Sequence, residues 1–158
     1  MILIGIDPGS RRCGYGVLHV EKNKILAAGC GIIKLETKGA IEDRLLYLSE
    51  ELKSIVSEYK PDISAVEAIF YGKNIQTAFT LGHVRGVVVC SLRSGNIPVY
   101  SYSPREIKKA VTGNGNASKS QIEYVIQTIL NLKNPAKDDA ADGLACAICL
   151  YNKVLRGM

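Results

Sequence analysis

No run of apolar residues in the 158-residue sequence reaches the roughly 20 needed to cross a bilayer as a helix. The N-terminal stretch MILIG-I meets Asp7 with no basic lead, which argues against a signal peptide. Internal repeats, low-complexity tracts and linkers are absent. Cys146 and Cys149 form a C-x-x-C, but no second C-x-x-C and no paired histidine completes a four-ligand zinc site. Two small residues on an apolar helix are the ordinary reading of that pair. With Cys13, Cys30 and Cys90 the cysteines number 5, an odd count that argues for reduced thiols. These absences together predict a cytoplasmic protein with no membrane partner. Charge imbalance is also small. Lys and Arg number 20 against 15 Asp and Glu, a net +5, which permits nucleic-acid binding without requiring it. The sign gains meaning if the acids gather in one pocket, because the remaining surface is then more basic than the total.

At 47% hydrophobic and 22% charged, the chain has the composition of a folded domain rather than a disordered one, and its length suits a single domain over residues 1–158. Residues 1–6 are a continuous apolar run, as in a strand covered on both faces, and Pro8-Gly9-Ser10 breaks it. Residues 14–20 and 25–35 read as two more strands joined by a turn at 21–24, with irregularity at Gly29 and Gly31. Short connections make these an antiparallel meander. The period then changes: Ile41, Leu45, Leu48, Leu52, Ile55, Val56 and Tyr59 recur at helical spacing until Pro61. The strand at 63–67 is expected to lie parallel to the first, since a helix crosses between them. A helix at 74–93 and a strand at 98–102 follow. Ser103-Pro104-Arg105-Glu106 is a capping box with proline at the first helical position. After a loop at 113–116, Ser118-Lys119-Ser120-Gln121 caps a helix to 132, Asn134-Pro135 ends it, and 136–155 is the last helix. This order predicts an α/β fold: a five-stranded mixed sheet, three antiparallel strands then parallel crossovers, with helices on both faces, the order of the RNase H-like fold.

Four acids sit where acids are costly. Asp7 ends the first strand and Glu67 ends the fourth, while Asp139 and Asp142 interrupt a helix otherwise of small and apolar residues. A partly buried, unpaired carboxylate costs several kcal/mol or takes up a proton. Asp139 and Asp142, three apart, share one helix face and repel without a cation. Strands one and four are expected to be neighbours, so a last helix crossing their ends brings all four acids together. Hard oxygen donors in that arrangement suit Mg²⁺, with Mn²⁺ as a substitute, and two ions roughly 4 Å apart promote phosphodiester hydrolysis. Each acid alone has a plainer explanation: Asp7 as a turn former before Pro-Gly, Asp139 as a helix N-terminal acid, a role that suits the more exposed Asp138 better. Glu67 has the weakest such explanation.

At these residues the chain resembles a known family. G-I-D-P-G-S-R-x-x-G-Y-G at 5–16, V-E-x-x-F-x-x-K-N at 66–74 and D-A-A-D-G-L-A at 139–145 are similar to the signature segments of bacterial RuvC, the Holliday-junction resolvases. G-H-V-R-G at 82–86 and S-K-S-Q at 118–121 also resemble family segments, and the likeness spans essentially the whole chain. One departure is Ala68, where many relatives carry a polar residue after the glutamate. The resemblance implies a homodimeric nuclease that binds four-way junction DNA and nicks two opposed strands symmetrically. It implies Asp7, Glu67, Asp139 and Asp142 as the catalytic, metal-binding acids, and the RuvA and RuvB branch-migration complex as partner. It makes the helix at 74–93 the dimer helix, where Ala78, Gly82 and Gly86 permit close approach of a second copy.

Phe70 and Tyr71, with Lys73, follow Glu67 in a loop; an aromatic beside such a site stacks on a splayed base, or anchors the loop in the core. Phe70 matches the family's DNA-contact position. Lys108 and Lys119 match its basic residues, against the alternative of solvated lysines, and Ser118 at a helix N-terminus could hold a phosphate with Lys119. Arg11 and Arg12 are further phosphate candidates, and His83 is expected to serve helix packing. Three other readings remain open: an RNase H-like nuclease of ribosomal-RNA maturation, a non-catalytic junction-binding module, and a phosphate loop of the actin-like ATPases, which needs two such domains.

Overall fold

The computed structural model describes residues 1–22, 24–35, 39–69, 75–136 and 138–157. Strands β1 (Ile2–Asp7), β2 (Arg12–Glu21) and β3 (Lys24–Lys34) pair antiparallel in sequence order. Helix α1 (Ile41–Tyr59) crosses to β4 (Ile63–Glu67), which lies parallel to β1. Helix α2 (Ile75–Ser94) crosses to β5 (Val99–Tyr102), parallel to β4. Helices α3 (Pro104–Thr112), α4 (Lys119–Leu130) and α5 (Asp138–Leu150) complete the chain, α5 running into a π-helical turn at Tyr151–Leu155. The sheet order is β3-β2-β1-β4-β5, the mixed RNase H-like arrangement the element order predicts.

Side chains alternate across a strand, so each strand serves two cores. Leu3, Leu18, Ala65 and Tyr102 face α3, α4 and α5. Ile4, Ile6, Val17 and Val66 face α1 and α2. Asp7 shares the face of Leu3 and Gly5, and Glu67 that of Ala65, so both acids point to the α5 side. Helix α5 lies between the sheet and α3 and α4. Apart from its acids it is buried on every side from Ala140 to Leu150, as a helix apolar all round must be.

The capping boxes form as the sequence implies. Ser103 and Glu106 exchange bonds at the start of α3, and Ser118 and Gln121 do so at α4. The β2–β3 ladder shifts register between Val17 and Leu18, opposite Gly29. Two boundaries differ from expectation. Helix α4 stops at Leu130 because Asn131 turns left-handed (φ 48) and donates to Gln127 and Thr128, and α5 begins only at Asp138, itself left-handed (φ 56).

One expectation needs correcting. Helix α2 is, by length and composition, apolar enough to cross a membrane, although the sequence shows no uninterrupted apolar run. Only 22% of its most apolar window is buried. Val84, Val88, Ser91 and Leu92 pack on the core, while Ile75, Phe79, Gly82, His83, Gly86 and Cys90 form an exposed stripe. His83 is therefore exposed on this stripe rather than packed in the core.

Candidate active site

Helix α5 is brought to the strand ends by glycines. A Cβ at Gly5 would strike the backbone of Gly143 and Ala147, one at Gly16 the backbone of Leu144, and one at Gly143 the backbone of Tyr15. Gly14 is the cross-strand partner of Asp7, and a Cβ there would strike the Asp139 carbonyl. Backbone thus lies on backbone along this contact, which overpacking by one methyl would disrupt. The missing side chain at Gly14 is what lets Asp139 sit beside Asp7.

Each of Asp7, Asp139 and Asp142 offers an oxygen within 4.8 Å of the others. Glu67 stands outside that trio but lines the same cavity, of about 240 Å³, with Asp7, Asp142, Lys108 and Lys119. Pro104, Ile107, Ile122 and Ala145 supply its apolar wall. Burial, then the charges of Asp142 and Asp139, push the Asp7 carboxyl up to about 6. Burial, then Asp7 and Asp142, push Glu67 up to about 8, and Lys108 pulls it partly back. Asp142 is raised by burial, although Lys119 opposes the shift. These are the signs of like charges held together in a partly dry place.

Two cations meet the cluster. Lys119 Nζ donates to Asp142 Oδ2 at 3.1 Å. Burial works against its charge, but that bond and the charges of Asp142, Asp139 and Asp138 outweigh it and raise its pKa. Arg12 Nε lies 3.1 Å from Asp139 Oδ2, yet that buried oxygen has no aligned donor. Three converging carboxylates, an unsatisfied oxygen among them and no nitrogen or sulfur donor fit a hard divalent cation.

The sequence-predicted residues divide accordingly. Asp7, Asp139 and Asp142 converge; Glu67, Lys108 and Lys119 share a cavity with Asp7 and Asp142; Arg12 approaches from β2. Arg11 instead lines a separate cavity on the α1–α2 side. Phe70, Tyr71 and Lys73 lie outside the described residues. On α2, Ala78 is half-buried, and a Cβ at Gly82 or Gly86 meets nothing, so that face is open. Cys146 and Cys149 are buried with thiols pushed up, Cys149 to about 12, as expected of core residues rather than a redox pair.

Sequence reasoning missed Arg85. From α2 it donates through Nη2 to Ser101 Oγ at 2.7 Å and through Nε to the Glu67 carbonyl at 3.4 Å, tying the ends of β4 and β5 to that helix. Its place in G-H-V-R-G was the available signal. The four contact glycines were also visible as letters, without their role.

Comparison with known proteins gives one consistent result. The family model described as crossover junction endodeoxyribonuclease RuvC matches residues 3–150. A Petrotoga mobilis protein of that name is 45% identical, over 96% of this chain and 94% of its own. One from Pseudothermotoga lettingae is 47% identical, over 94% and 93%. Among solved structures, T. thermophilus RuvC in complex with Holliday junction substrate superposes with a TM-score of 0.92 at 28% identity, covering 99% of this chain and 96% of that one.

Proposed function

The chain belongs to the RuvC family of crossover junction endodeoxyribonucleases, and from that premise we propose that it resolves four-way (Holliday) junctions in DNA recombination and repair, by metal-dependent hydrolysis at the acid cavity. The observation that carries this is the meeting of Asp7, Asp139 and Asp142, oxygens within 4.8 Å, at the ends of β1 and α5.

Asp7, Asp139 and Asp142 hold the cation, with Glu67 as a further ligand from the cavity wall. Their all-oxygen donor set favours Mg²⁺, with Mn²⁺ as substitute, and two ions would suit phosphodiester hydrolysis. When bound, such ions make water nucleophilic at neutral pH and stabilise the leaving oxygen of a phosphodiester. Lys119, held by Asp142, and Lys108, opposite Glu67, offset the charge that builds on the phosphoryl oxygens. Ile107, Ile122 and Ala145 narrow the cavity against bulk water. Phe70, Tyr71 and Lys73 are assigned to the junction centre by family position.

Two symmetric nicks need two sites related by a two-fold axis, which a dimer through the exposed stripe of α2 provides. Ala78, Gly82 and Gly86 admit a second helix closely there. The RuvA and RuvB complex is the partner, and the cytoplasm the place, that this activity implies. Family membership favours the junction enzyme over the ribosomal-RNA nuclease and the ATPase phosphate loop, and a full set of acids disfavours a non-catalytic module.

The test is cleavage of a synthetic four-way junction with and without Mg²⁺, with strand ends mapped. Paired nicks on opposed strands are expected, only with metal. Asp7→Asn should lose about 10²–10³-fold in rate, the scale of one charge-stabilising group, and still bind junction DNA. Cleavage without a divalent ion, or loss of cutting and binding together, would overturn the proposal.

A further inference from the structure

A second cavity, also about 240 Å³, opens on the opposite side of the β1–β2 turn from the acids. Ser10, Arg11, Arg44, Gln76, Thr77 and Thr80 line it, so it joins the turn after Asp7 to the first turns of α1 and α2. No carboxylate is among these residues. Arg44 Nη2 donates to the Ser10 carbonyl at 2.7 Å, its Nε is buried without a partner, and neither Arg44 nor Arg11 pairs with an acid among the described residues. Beside it, Arg12 is drawn to Asp139, whereas Arg11, also exposed, has no acid partner among the described residues. A half-buried guanidinium without a counter-ion is costly to hold, and two at one cavity concentrate positive potential there. The N-terminal end of α2, 20 residues long, adds the positive end of its dipole. Guanidinium forks match phosphate geometry.

The geometry points to a binding site for a backbone phosphate of the substrate DNA, held by Arg11 and Arg44, distinct from the scissile position. This rests on the junction-cleaving role proposed above. Ser10 is three residues from Asp7, so their Cα atoms are at most about 11 Å apart. That separation is within the reach of a few nucleotides from a scissile phosphate at the acids. Arg44 has a second effect: by holding the Ser10 carbonyl it fixes the turn that leaves Asp7. Phosphate captured here sets which phosphodiester along the strand reaches the acids.

The experiment measures junction binding against salt in the Asp7→Asn protein with chelator present, so that the DNA stays intact. Arg11→Ala and Arg44→Gln should each lower the log–log salt slope by about 0.9, one phosphate contact, and weaken binding at moderate salt about five- to tenfold. Arg11 is exposed, so its variant reports even if Arg44→Gln disturbs folding. Arg44→Lys, keeping the charge, should restore most of the slope. A second arm replaces single phosphates near the cut with neutral methylphosphonates. One position should weaken Asp7→Asn but cause no further loss in Asp7→Asn/Arg11→Ala. Unchanged slopes, or losses that add at every position, would overturn the site. Failure of the Asp7→Asn protein to bind at all would overturn the junction-cleaving role with it.

Discussion

The two faces of the sheet are built by different rules. On the α1–α2 face, aliphatic side chains such as Ile4, Val17, Leu48, Leu52, Val84 and Leu92 fill the space between sheet and helices, and the outer side of α2 stays open. On the α5 face, Gly5, Gly14, Gly16 and Gly143 remove the side chains between helix and sheet, and the acids sit at the end of that seam. The first arrangement is forgiving of changes in shape. The second fixes where Asp7, Asp139 and Asp142 stand, at the expense of tolerating nothing larger than hydrogen along the contact.

The sharpest way to break this contrast is to put equal changes on both faces. Gly14→Ala should lower stability by about 1–3 kcal/mol or more, as overpacking does, and abolish cleavage by pushing Asp139 away. Gly82→Ala, on the open stripe of α2, should leave monomer stability unchanged or raise it by about 0.5–1 kcal/mol. Denaturant unfolding and junction cleavage of both variants would decide. Equal losses would mean the faces are not different in kind.

The acid face should also carry the pH dependence. In the folded, metal-free protein the carboxyls of Asp7 and Glu67 titrate at about 6 and about 8, above the ordinary carboxylate range of the unfolded chain. Between those limits the folded state binds more protons than the unfolded one, so stability falls as pH rises. Below the ordinary range both states are protonated and the penalty is gone. Melting temperature in chelator should therefore drop from pH 5 towards pH 8.5. Saturating Mg²⁺ should flatten that drop and release protons on binding, measurable by calorimetry in buffers of different ionisation enthalpy. A melting temperature that climbs with pH in chelator would contradict the site.

Arg85 ties α2 to the strand end that carries Glu67, and its removal should show how far the acid site depends on that tie. Arg85→Ala should cut turnover about tenfold by loosening the Glu67 strand end, with dimerisation and junction affinity little changed. Arg85→Lys should recover only part, since one ammonium does not span both acceptors. The smallest effect belongs to α1, whose N-cap, Ala40, makes no side-chain bond. Ala40→Ser, a cap that adds no charge beside Arg44, should stabilise the fold by about 0.5–2 kcal/mol without touching activity.

What the sequence made legible follows from what is local. Capping boxes at Ser103 and Ser118, the helical period of Leu45 to Tyr59 and the apolar strand at Ile2–Asp7 need only near neighbours, and each is found where expected. The acids were legible because a carboxylate among apolar residues is conspicuous wherever the chain goes. Their arrangement was less so: that Glu67 stands apart from the aspartate trio is a matter of three-dimensional placement, which no spacing encodes. The glycine seam was hidden for a related reason, since a glycine shows what is missing and not what moves in. Arg85 and Arg44 act across long sequence separations and leave no periodic trace.

The seam between α5 and β1–β2 has one more consequence. Where main chain rests on main chain, no rotamer lies between the helix and the strands, so the gap between Asp7 and the two helix aspartates is set by atoms that every amino acid shares. Apolar residues on either face can drift in size and identity while that gap stays constant. The chain can change most of its interior and still present the same oxygen atoms at the same separation.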